Sequence, residues 1–246
     1  MRLDLFLSVS SDSKLEVMNQ TVVVIDVLRT GSSIVQAMAN GAQEIYPVGS
    51  TGEALKLASS LGRDDSVLCG SSRYSTADGF DIGNSPTEFI SEKIAEKRLV
   101  MTTTNGTPVF DFVDDSFSAL ICCFLNLGAI VQEVSGSKSL TVVCAGSEGN
   151  ASLEDTVCAG ILLERLSEEY EVDLVLNDAG KLARVLGPYF EVNKEFLAGT
   201  ERGKKLREEG FEDDLDLCSQ LDVYSVVPEM REKIVRLMEK DSHGSD

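Results

Sequence analysis

The stretch Thr21-Val-Val-Val-Ile-Asp26, with the Val27-Leu-Arg-Thr-Gly-Ser-Ser33 and Ile34-Val-Gln-Ala-Met-Ala-Asn-Gly41 that follow, decides the fold. The run of apolar, mostly β-branched residues predicts a buried strand, and the small residues after it predict a tight turn. The segment from Ser33 to Gly41 has the starting residue, the apolar spacing and the stop residue of a helix. A strand, a tight turn and a helix in this order are typical of α/β proteins.

The same order recurs along the chain. Strands are predicted at residues 1–9, 44–48, 67–69, 98–102, 117–124 and 140–144, and helices at 52–61, from 85 onward and at 153–170. This alternation predicts an α/β fold with mixed, largely parallel sheets flanked by helices. After Glu171 the pattern predicts mostly helices, followed by a frayed tail at residues 241–246.

The length of 246 residues suits one large domain or two closely packed α/β/α lobes. No low-complexity linker marks a boundary. If there are two lobes, we place them at residues 1–118 and 119–240; otherwise the chain forms one compact unit. The sequence leaves a homo-oligomer open.

Acidic side chains exceed basic ones, with 41 Asp and Glu against 22 Lys and Arg. The resulting net charge of −19 would repel nucleic acid and anionic lipid, so we expect neither as a partner. No stretch approaches the roughly 18–20 apolar residues of a membrane span, and residues 1–9 do not resemble a signal peptide. We therefore expect a cytoplasmic protein. A small anionic substrate would need local Arg side chains, helix N-termini or a bound cation.

The single histidine, His243, lies in the tail predicted to fray and narrows the possible chemistry. Catalytic triads, Cys-His dyads and His-rich zinc sites all need an ordered imidazole. The chain contains no Cys-x5-Arg loop and no Gly-x4-Gly-Lys-Ser/Thr loop. Its six cysteines are predicted to be free, buried thiols. The carboxylates, Arg, Asn and hydroxyl groups that remain are typical of a site for a hard metal ion and phosphate.

Asp26 stands at the carboxyl end of the apolar strand, where ligands bind in open α/β sheets. Its carboxylate could hold Mg²⁺, orient a water molecule or attack phosphorus; the alternative is an Asp that caps the turn. Arg29, Thr30 and Ser32 follow directly and would face an anion at a helix N-terminus.

Two more segments offer substrate contacts. Ser85, Pro86 and Glu88 have the spacing of a capping box with proline at the first helical position, and Asn84 just before them is a candidate substrate contact. The segment 102–107, rich in Thr, is either an ordinary Asn-Gly turn or a cradle for an oxyanion.

A third segment carries adjacent carboxylates. Ser152 and Asp155 have the spacing of a helix N-terminal cap, which would explain Asp155 without any catalytic role. Glu154 and Asp155 could equally reach a cation shared with Asp26. The residues alone leave both interpretations open.

Five motifs in order resemble those of the 2-phosphosulfolactate phosphatase family. They are Val-Ile-Asp26-Val-Leu-Arg29-Thr30, Gly79-Phe-Asp-Ile-Gly-Asn84-Ser-Pro86, Thr103-Thr-Asn-Gly-Thr107, Cys144-Ala-Gly146 and Ser152-Leu-Glu-Asp155. The resemblance continues through Gly210-Phe-Glu-Asp-Asp214 and Val227-Pro228, and so covers nearly the whole chain.

The resemblance implies a Mg²⁺-dependent hydrolysis of 2-phospho-3-sulfolactate to 3-sulfolactate and phosphate, a step toward coenzyme M. The positions that match the family pattern are Asp26, Arg29, Thr30, Thr103, Thr104, Asn105, Gly106, Asn126 and Asp155. Arg73 is also kept, in Cys69-Gly-Ser-Ser-Arg73, where the family usually shows Gly-Gly-Glu-Arg.

The working hypothesis combines both lines of reasoning. Asp26, Arg29 and Asp155 are the catalytic residues, and Mg²⁺ is held by Asp26 with Asp155 or Glu154. The substrate is a small anionic phosphate ester. The predicted substrate contacts are Thr30, Ser32, Arg73, Asn84, Thr103, Thr104, Asn105, Gly106 and Asn126. The alternatives are a covalent phosphate on Asp26, another phosphorylated sulfonate or carboxylate as substrate, and a non-catalytic sensor of small anions.

Overall fold

One long mixed sheet organises the protein. The computed structural model describes residues 1–9, 20–72, 75–76, 78–102, 106–113 and 116–238, and within them eleven strands follow the order β5-β4-β6-β3-β11-β10-β7-β2-β8-β1-β9. The strands are β1 (Arg2–Phe6), β2 (Thr21–Ile25), β3 (Glu44–Val48), β4 (Ser66–Ser72), β5 (Ser75–Thr76), β6 (Arg98–Thr102), β7 (Ser118–Cys122), β8 (Ser139–Cys144), β9 (Val175–Leu176), β10 (Pro228–Arg231) and β11 (Ile234–Leu237). The predicted α/β fold is confirmed.

Helices connect and flank the strands. They are α1 (Thr30–Ala39), α2 (Thr51–Leu61), α3 (Ser91–Ile94), α4 (Gly106–Val113), α5 (Leu127–Val134), α6 (Leu153–Glu168), α7 (Asp178–Leu186), α8 (Lys194–Gly199), α9 (Glu201–Glu208) and α10 (Glu212–Cys218). Short 3₁₀ helices lie at Pro86–Glu88, Phe124–Asn126 and Gly187–Tyr189.

Two groups of parallel strands lie on either side of an antiparallel hairpin. One group is β4, β6 and β3, and the other is β7, β2, β8, β1 and β9. The hairpin of β10 and β11 pairs antiparallel with β7 on one side and β3 on the other. With three antiparallel junctions between them, the two groups run in opposite directions. Most elements after residue 171 are helices, as predicted, but the strands β9, β10 and β11 were not predicted.

The sheet is continuous across the predicted lobe boundary. Strands β1 and β2, from the first predicted lobe, pair with β7, β8 and β9. The division at residues 118 and 119 stays a prediction.

Strand β2 is buried on both faces. Val23 and Ile25 pack into one apolar cluster with α5 and α6, while Val22 and Val24 face a second cluster with α1. A strand covered by helices on both faces is apolar without alternation, which explains the Val-Val-Val-Ile run. The central position of β2 carries Asp26, the next residue, into the interior of the protein.

The state of the cysteines and the character of the helices both bear on function. All six cysteines are buried and free, as predicted. Within the described ranges, no helix combines the length and the apolar character needed to cross a membrane. The predicted cytoplasmic location stays a prediction.

Helices α6 and α7 approach each other through glycine. A Cβ atom added at Gly160 would lie 2.1 Å from the carbonyl oxygen of Ala183 and 2.8 Å from Cα of Gly187. Such distances are far below van der Waals contact. The packing of α7 on α6 therefore requires glycine at this position.

Gly160→Ala should consequently destabilise the protein by about 1–3 kcal/mol, the usual cost of overpacking a close contact. Gly52→Ala in α2 is the matched control, because a Cβ there meets nothing within 4 Å, and it should leave stability unchanged or slightly raised. Urea unfolding of the two variants measures both effects. Equal stabilities would show that α6 and α7 are not in this close contact.

Candidate active site

Asp26 lies directly after β2 and is only 4% exposed. The hydroxyl of Thr30 and the backbone N–H groups of Thr30 and Gly31 contact its carboxylate. Gly31 allows this fold of the first turn of α1, since a Cβ there would lie 2.2 Å from the carbonyl oxygen of Asp26. The Oδ2 atom of Asp26 is buried and has no hydrogen-bond partner among the described residues. One acceptor of this carboxylate is therefore left for a ligand.

Asp155 joins the loops that follow two neighbouring strands. Its Oδ1 accepts a hydrogen bond of 2.8 Å from the N–H of Val27, after β2, and its Oδ2 accepts one of 3.1 Å from the N–H of Gly146, after β8. Ser152 caps α6 by accepting from the N–H of Asp155 at 3.3 Å. The predicted helix cap is thus present, but the Asp155 side chain is directed to the two loops.

Three carboxylates, on Asp26, Glu154 and Asp155, are buried close together, each no more than 4% exposed. Burial raises the pKa of Asp26 to about 6, although Thr30, Gly31 and the guanidinium of Arg202 favour its charged form. Burial, reinforced by the charge of Asp26, raises the pKa of Glu154 and, more strongly, that of Asp155. A cluster of this kind either retains protons near neutral pH or requires a cation.

The cluster fits a divalent cation only as a partial ligand set. Within the part of the chain that the structure describes, no three His, Cys, Asp or Glu side chains are arranged together to hold a metal ion. Mg²⁺ in phosphate-handling sites uses one or two carboxylates and completes its shell with waters and phosphate oxygens. The unpartnered Oδ2 of Asp26 and the neighbouring carboxylate of Glu154 fit that donor set.

Arg29 is held in a buried ion pair. Its Nη1 lies 2.6 Å from Oδ2 of Asp214 on α10, and its guanidinium carbon lies 4.4 Å from the ring centre of Phe211. Asp214 also accepts hydrogen bonds from the hydroxyls of Ser85 and Thr87. The Nε of Arg29 is buried without a partner among the described residues, so one donor is left at the start of α1.

Asn84 connects the end of β6 to α1. Its Nδ2 donates to the carbonyl of Thr102 at 2.9 Å, and its own carbonyl accepts from the hydroxyl of Ser33 at 2.9 Å. The side-chain oxygen Oδ1 is buried and has no hydrogen-bond partner among the described residues. Asn84 thereby links β6, in one parallel group, to α1, which follows β2 of the other group.

The predicted capping box at Ser85 and Glu88 is wrong. The hydroxyl of Ser85 donates to Asp214 and makes no cap, while the Glu88 carboxylate accepts from the N–H of Gly83. Proline at the first helical position is correct. The contact with Asp214 replaces the local cap by a long-range one.

Two predicted substrate contacts have internal partners. The hydroxyl of Ser32 donates to the carbonyl of Val27 at 2.7 Å. Asn126 accepts from the N–H of Cys123 and donates both amide hydrogens to the carbonyls of Ile121 and Val226. Both side chains are fully buried and fix loops around the site, and their contact with substrate stays a prediction.

Other predicted contacts lie outside the described residues. These are Arg73, Thr103, Thr104 and Asn105. His243 also lies outside the described residues. Gly106 begins α4. Their roles stay predictions.

Sequence reasoning missed two residues of the site, Arg202 on α9 and Thr200, which caps that helix. Arg202 on α9 places positive charge on Asp26 and Glu154, and the hydroxyl of Thr200 contacts the Glu154 carboxylate. Neither residue belongs to a recognisable sequence motif. Arg202 lies in a helix with several other basic residues, so the sequence does not distinguish it from them. Asp214 was quoted only as part of the family resemblance, without a role.

A cavity of about 980 Å³ lies elsewhere, between α5 and the segment 222–227. Its lining includes none of the carboxylates and arginines described above, which are Asp26, Glu154, Asp155, Arg29 and Arg202 and which we call the cluster. Its Arg165 is paired with Asp222 at 2.6 Å. We place the candidate site at the cluster, because the unpartnered buried groups lie there.

The geometry defines a class: a mixed α/β protein whose strand ends bring buried carboxylates and arginines together. Residues 8–233 match a family sequence model described as 2-phosphosulpholactate phosphatase. The chain belongs to this family.

Several relatives are similar over most of their length. A protein of Thermotoga petrophila named probable 2-phosphosulfolactate phosphatase is 38% identical over 85% of this chain and 88% of its own. Proteins with the same name are 35% identical in Caldanaerobacter subterraneus subsp. tengcongensis, over 88% and 90%, and 31% identical in Clostridium tetani, over 96% and 100%.

Asp214→Ala should destabilise the protein by about 3–5 kcal/mol, because it leaves the buried charge of Arg29 without its partner. Asp213→Ala is the matched control: it is the exposed neighbour in the same first turn of α10. Chemical unfolding of both variants gives the difference. A cost for Asp214→Ala no greater than that of the control would contradict the buried pair.

Asp26→Asn should change how stability depends on pH. With a pKa of about 6 when folded and 3.8 when unfolded, Asp26 favours the folded state below pH 4, and this advantage is lost as pH rises through 6. Relative to that of Asp26→Asn, the free energy of unfolding of the native protein should fall by about 3 kcal/mol between pH 4 and 7. Urea unfolding in EDTA at several pH values measures the difference.

The control for this measurement is Asp178→Asn. Lys181 lowers the pKa of the exposed Asp178, so that the small difference from native should have the opposite sign and grow as pH rises. A pH-independent difference between Asp26→Asn and native protein would refute the raised pKa of Asp26.

Proposed function

We propose that the protein is a Mg²⁺-dependent phosphatase that hydrolyses 2-phospho-3-sulfolactate to 3-sulfolactate and phosphate, the type of reaction used to make coenzyme M, in the cytoplasm. The observation that carries this proposal is the unpartnered buried Oδ2 of Asp26, placed close to Glu154 and Arg202 in a chain of this family. The names of the relatives support the substrate.

Asp26 and Glu154 are the proposed ligands of Mg²⁺. The ion would offset the charge of the phosphate ester and acidify a bound water. Asp155, which sequence reasoning also placed among the ligands, has both oxygens in backbone hydrogen bonds. We assign it the role of holding the Asp26 and Gly146 loops in position, through which it acts on the reaction.

The substrate's oxyanions meet the donors that the protein leaves open. The Nε of Arg29 and the first turn of α1 supply positive potential, with Thr30 beside Asp26. The ion pair with Asp214 keeps the Arg29 guanidinium in one orientation, which spares the cost of ordering it on binding. Asn84 presents an acceptor to a hydroxyl or a coordinated water of the bound substrate.

Asp26 has the protonation properties of a general base. Burial raises its pKa to about 6 in the protein without a metal, and a cation bound at Asp26 would lower that pKa and keep the carboxylate ionised, ready to accept a proton from the attacking water. The water oxygen bonds to phosphorus while the ester P–O bond breaks, and the electron pair goes to the leaving oxygen, which then takes a proton. Direct attack of Asp26 on phosphorus is the alternative chemistry.

Release of phosphate from 2-phospho-3-sulfolactate tests the proposal. Turnover should require Mg²⁺, stop in EDTA and fall by about 10²–10⁴-fold in Asp26→Asn, the range expected for loss of an acid–base group. Asp213→Asn, on the exposed side of α10, should retain full activity. Turnover that persists in EDTA would sink the metal-dependent mechanism, and binding without any turnover would indicate an anion sensor.

A further inference from the structure

Arg202 approaches the carboxylate cluster from α9, a part of the chain distant in sequence from the other site residues. Its guanidinium is near enough to favour the charged forms of Asp26 and Glu154. Its Nε is buried and has no hydrogen-bond partner among the described residues. Arg202 thus has one buried N–H group without an acceptor close to the carboxylates.

The two arginines of the site differ in how they are held. Arg29 has a carboxylate partner at 2.6 Å, and a structural role accounts for that contact. Arg202 influences two carboxylates, and its Nε bonds to neither of them. A buried donor left without a partner costs about 1–3 kcal/mol, so folded proteins seldom retain one unless a ligand completes it.

The backbone around Arg202 is built to hold it. The hydroxyl of Thr200 caps α9 by accepting from the N–H of Gly203 at 3.0 Å, and it donates to the carbonyl of Leu197 at 3.0 Å. A Cβ at Gly203 would lie 1.7 Å from that same carbonyl oxygen, so the corner between α8 and α9 is tight. Arg202 therefore starts from a fixed point beside Glu154, which Thr200 also contacts.

We propose that Arg202 is a substrate-binding residue, whose guanidinium takes an oxyanion of the substrate between α9 and the carboxylates of Asp26 and Glu154. The planar guanidinium can give two parallel hydrogen bonds to a phosphate, a sulfonate or a carboxylate. The identity of the ester rests on the proposed function, whereas the anion-binding role of Arg202 does not.

The charge balance of the site supports this assignment. Arg202 acts on the carboxylates of Asp26 and Glu154, whereas Asp214 neutralises Arg29. Once a divalent cation offsets the carboxylates, the charge of Arg202 becomes available to an anion. Binding of the cation and of the substrate should therefore support each other.

The experiment measures binding by the native protein and three variants with two probes, inorganic phosphate and 3-sulfolactate, each with Mg²⁺. Arg202→Met should weaken binding of at least one probe by about 10- to 100-fold, the value of a charged hydrogen bond. Arg202→Lys keeps the positive charge but loses the two parallel N–H groups of the guanidinium. Its affinity should lie between that of native protein and that of Arg202→Met. Arg207→Met, an exposed arginine of the same helix, should bind both as native protein does.

The two probes identify the group that Arg202 contacts. Loss of phosphate binding would show that Arg202 contacts the phosphoryl group. Loss of 3-sulfolactate binding alone would show that Arg202 contacts the sulfonate or the carboxylate. Native affinity of Arg202→Met for both probes overturns the proposal. Should Arg202→Met fail to fold, Arg202→Lys decides, and native affinity of that variant for both probes likewise overturns it.

Turnover separates this proposal from the function proposed above. Native protein that releases no phosphate from 2-phospho-3-sulfolactate refutes the phosphatase. The effect of Arg202→Met on probe binding would still stand. With turnover present, Arg202→Met should raise KM, whereas a purely structural residue would lower stability and leave KM of the folded fraction unchanged.

Discussion

The carboxylate of Asp155 holds together the ends of two neighbouring strands, and the site depends on this contact. One oxygen fixes Val27, directly after Asp26, and the other fixes Gly146. The bonds bring a second and a third carboxylate close to Asp26 in the interior, where burial makes ionisation costly. The cluster at these strand ends therefore either retains protons or requires a cation, and the unpartnered Oδ2 of Asp26 lies within it.

The helices α8, α9 and α10 complete the site with charges of both signs. Arg202 from α9 faces the carboxylates, and Asp214 from α10 pairs with Arg29. The helices thus supply a positive charge to the carboxylates and a negative charge to Arg29. These opposite charges orient the helices as well as stabilising them. In a chain of net charge −19, Arg29 and Arg202 are the positive charges that we propose an anionic substrate would meet.

Much of the fold could be read from the sequence because its signals are local. Strands β3 and β6 lie where their apolar runs predicted, and α2 begins at a Ser cap. The β10–β11 hairpin was missed because Glu232 and Lys233 occupy its turn with φ of 51° and 61°, where Asn-Gly is the usual signal. In the site, Asp26 could be placed by its strand end. Arg202 could not, because only tertiary packing brings its helix to the cluster.

The hairpin in the middle of the sheet has a consequence for biosynthesis. Strands β10 and β11 come after every other described strand in chain order, yet they are the only hydrogen-bonded bridge between the two parallel groups in the described sheet. While the ribosome is still translating, each group can form only as a separate half with an open edge. Until residue 237 has emerged, β3 in one group and β7 in the other each have an unpaired edge that the hairpin later covers.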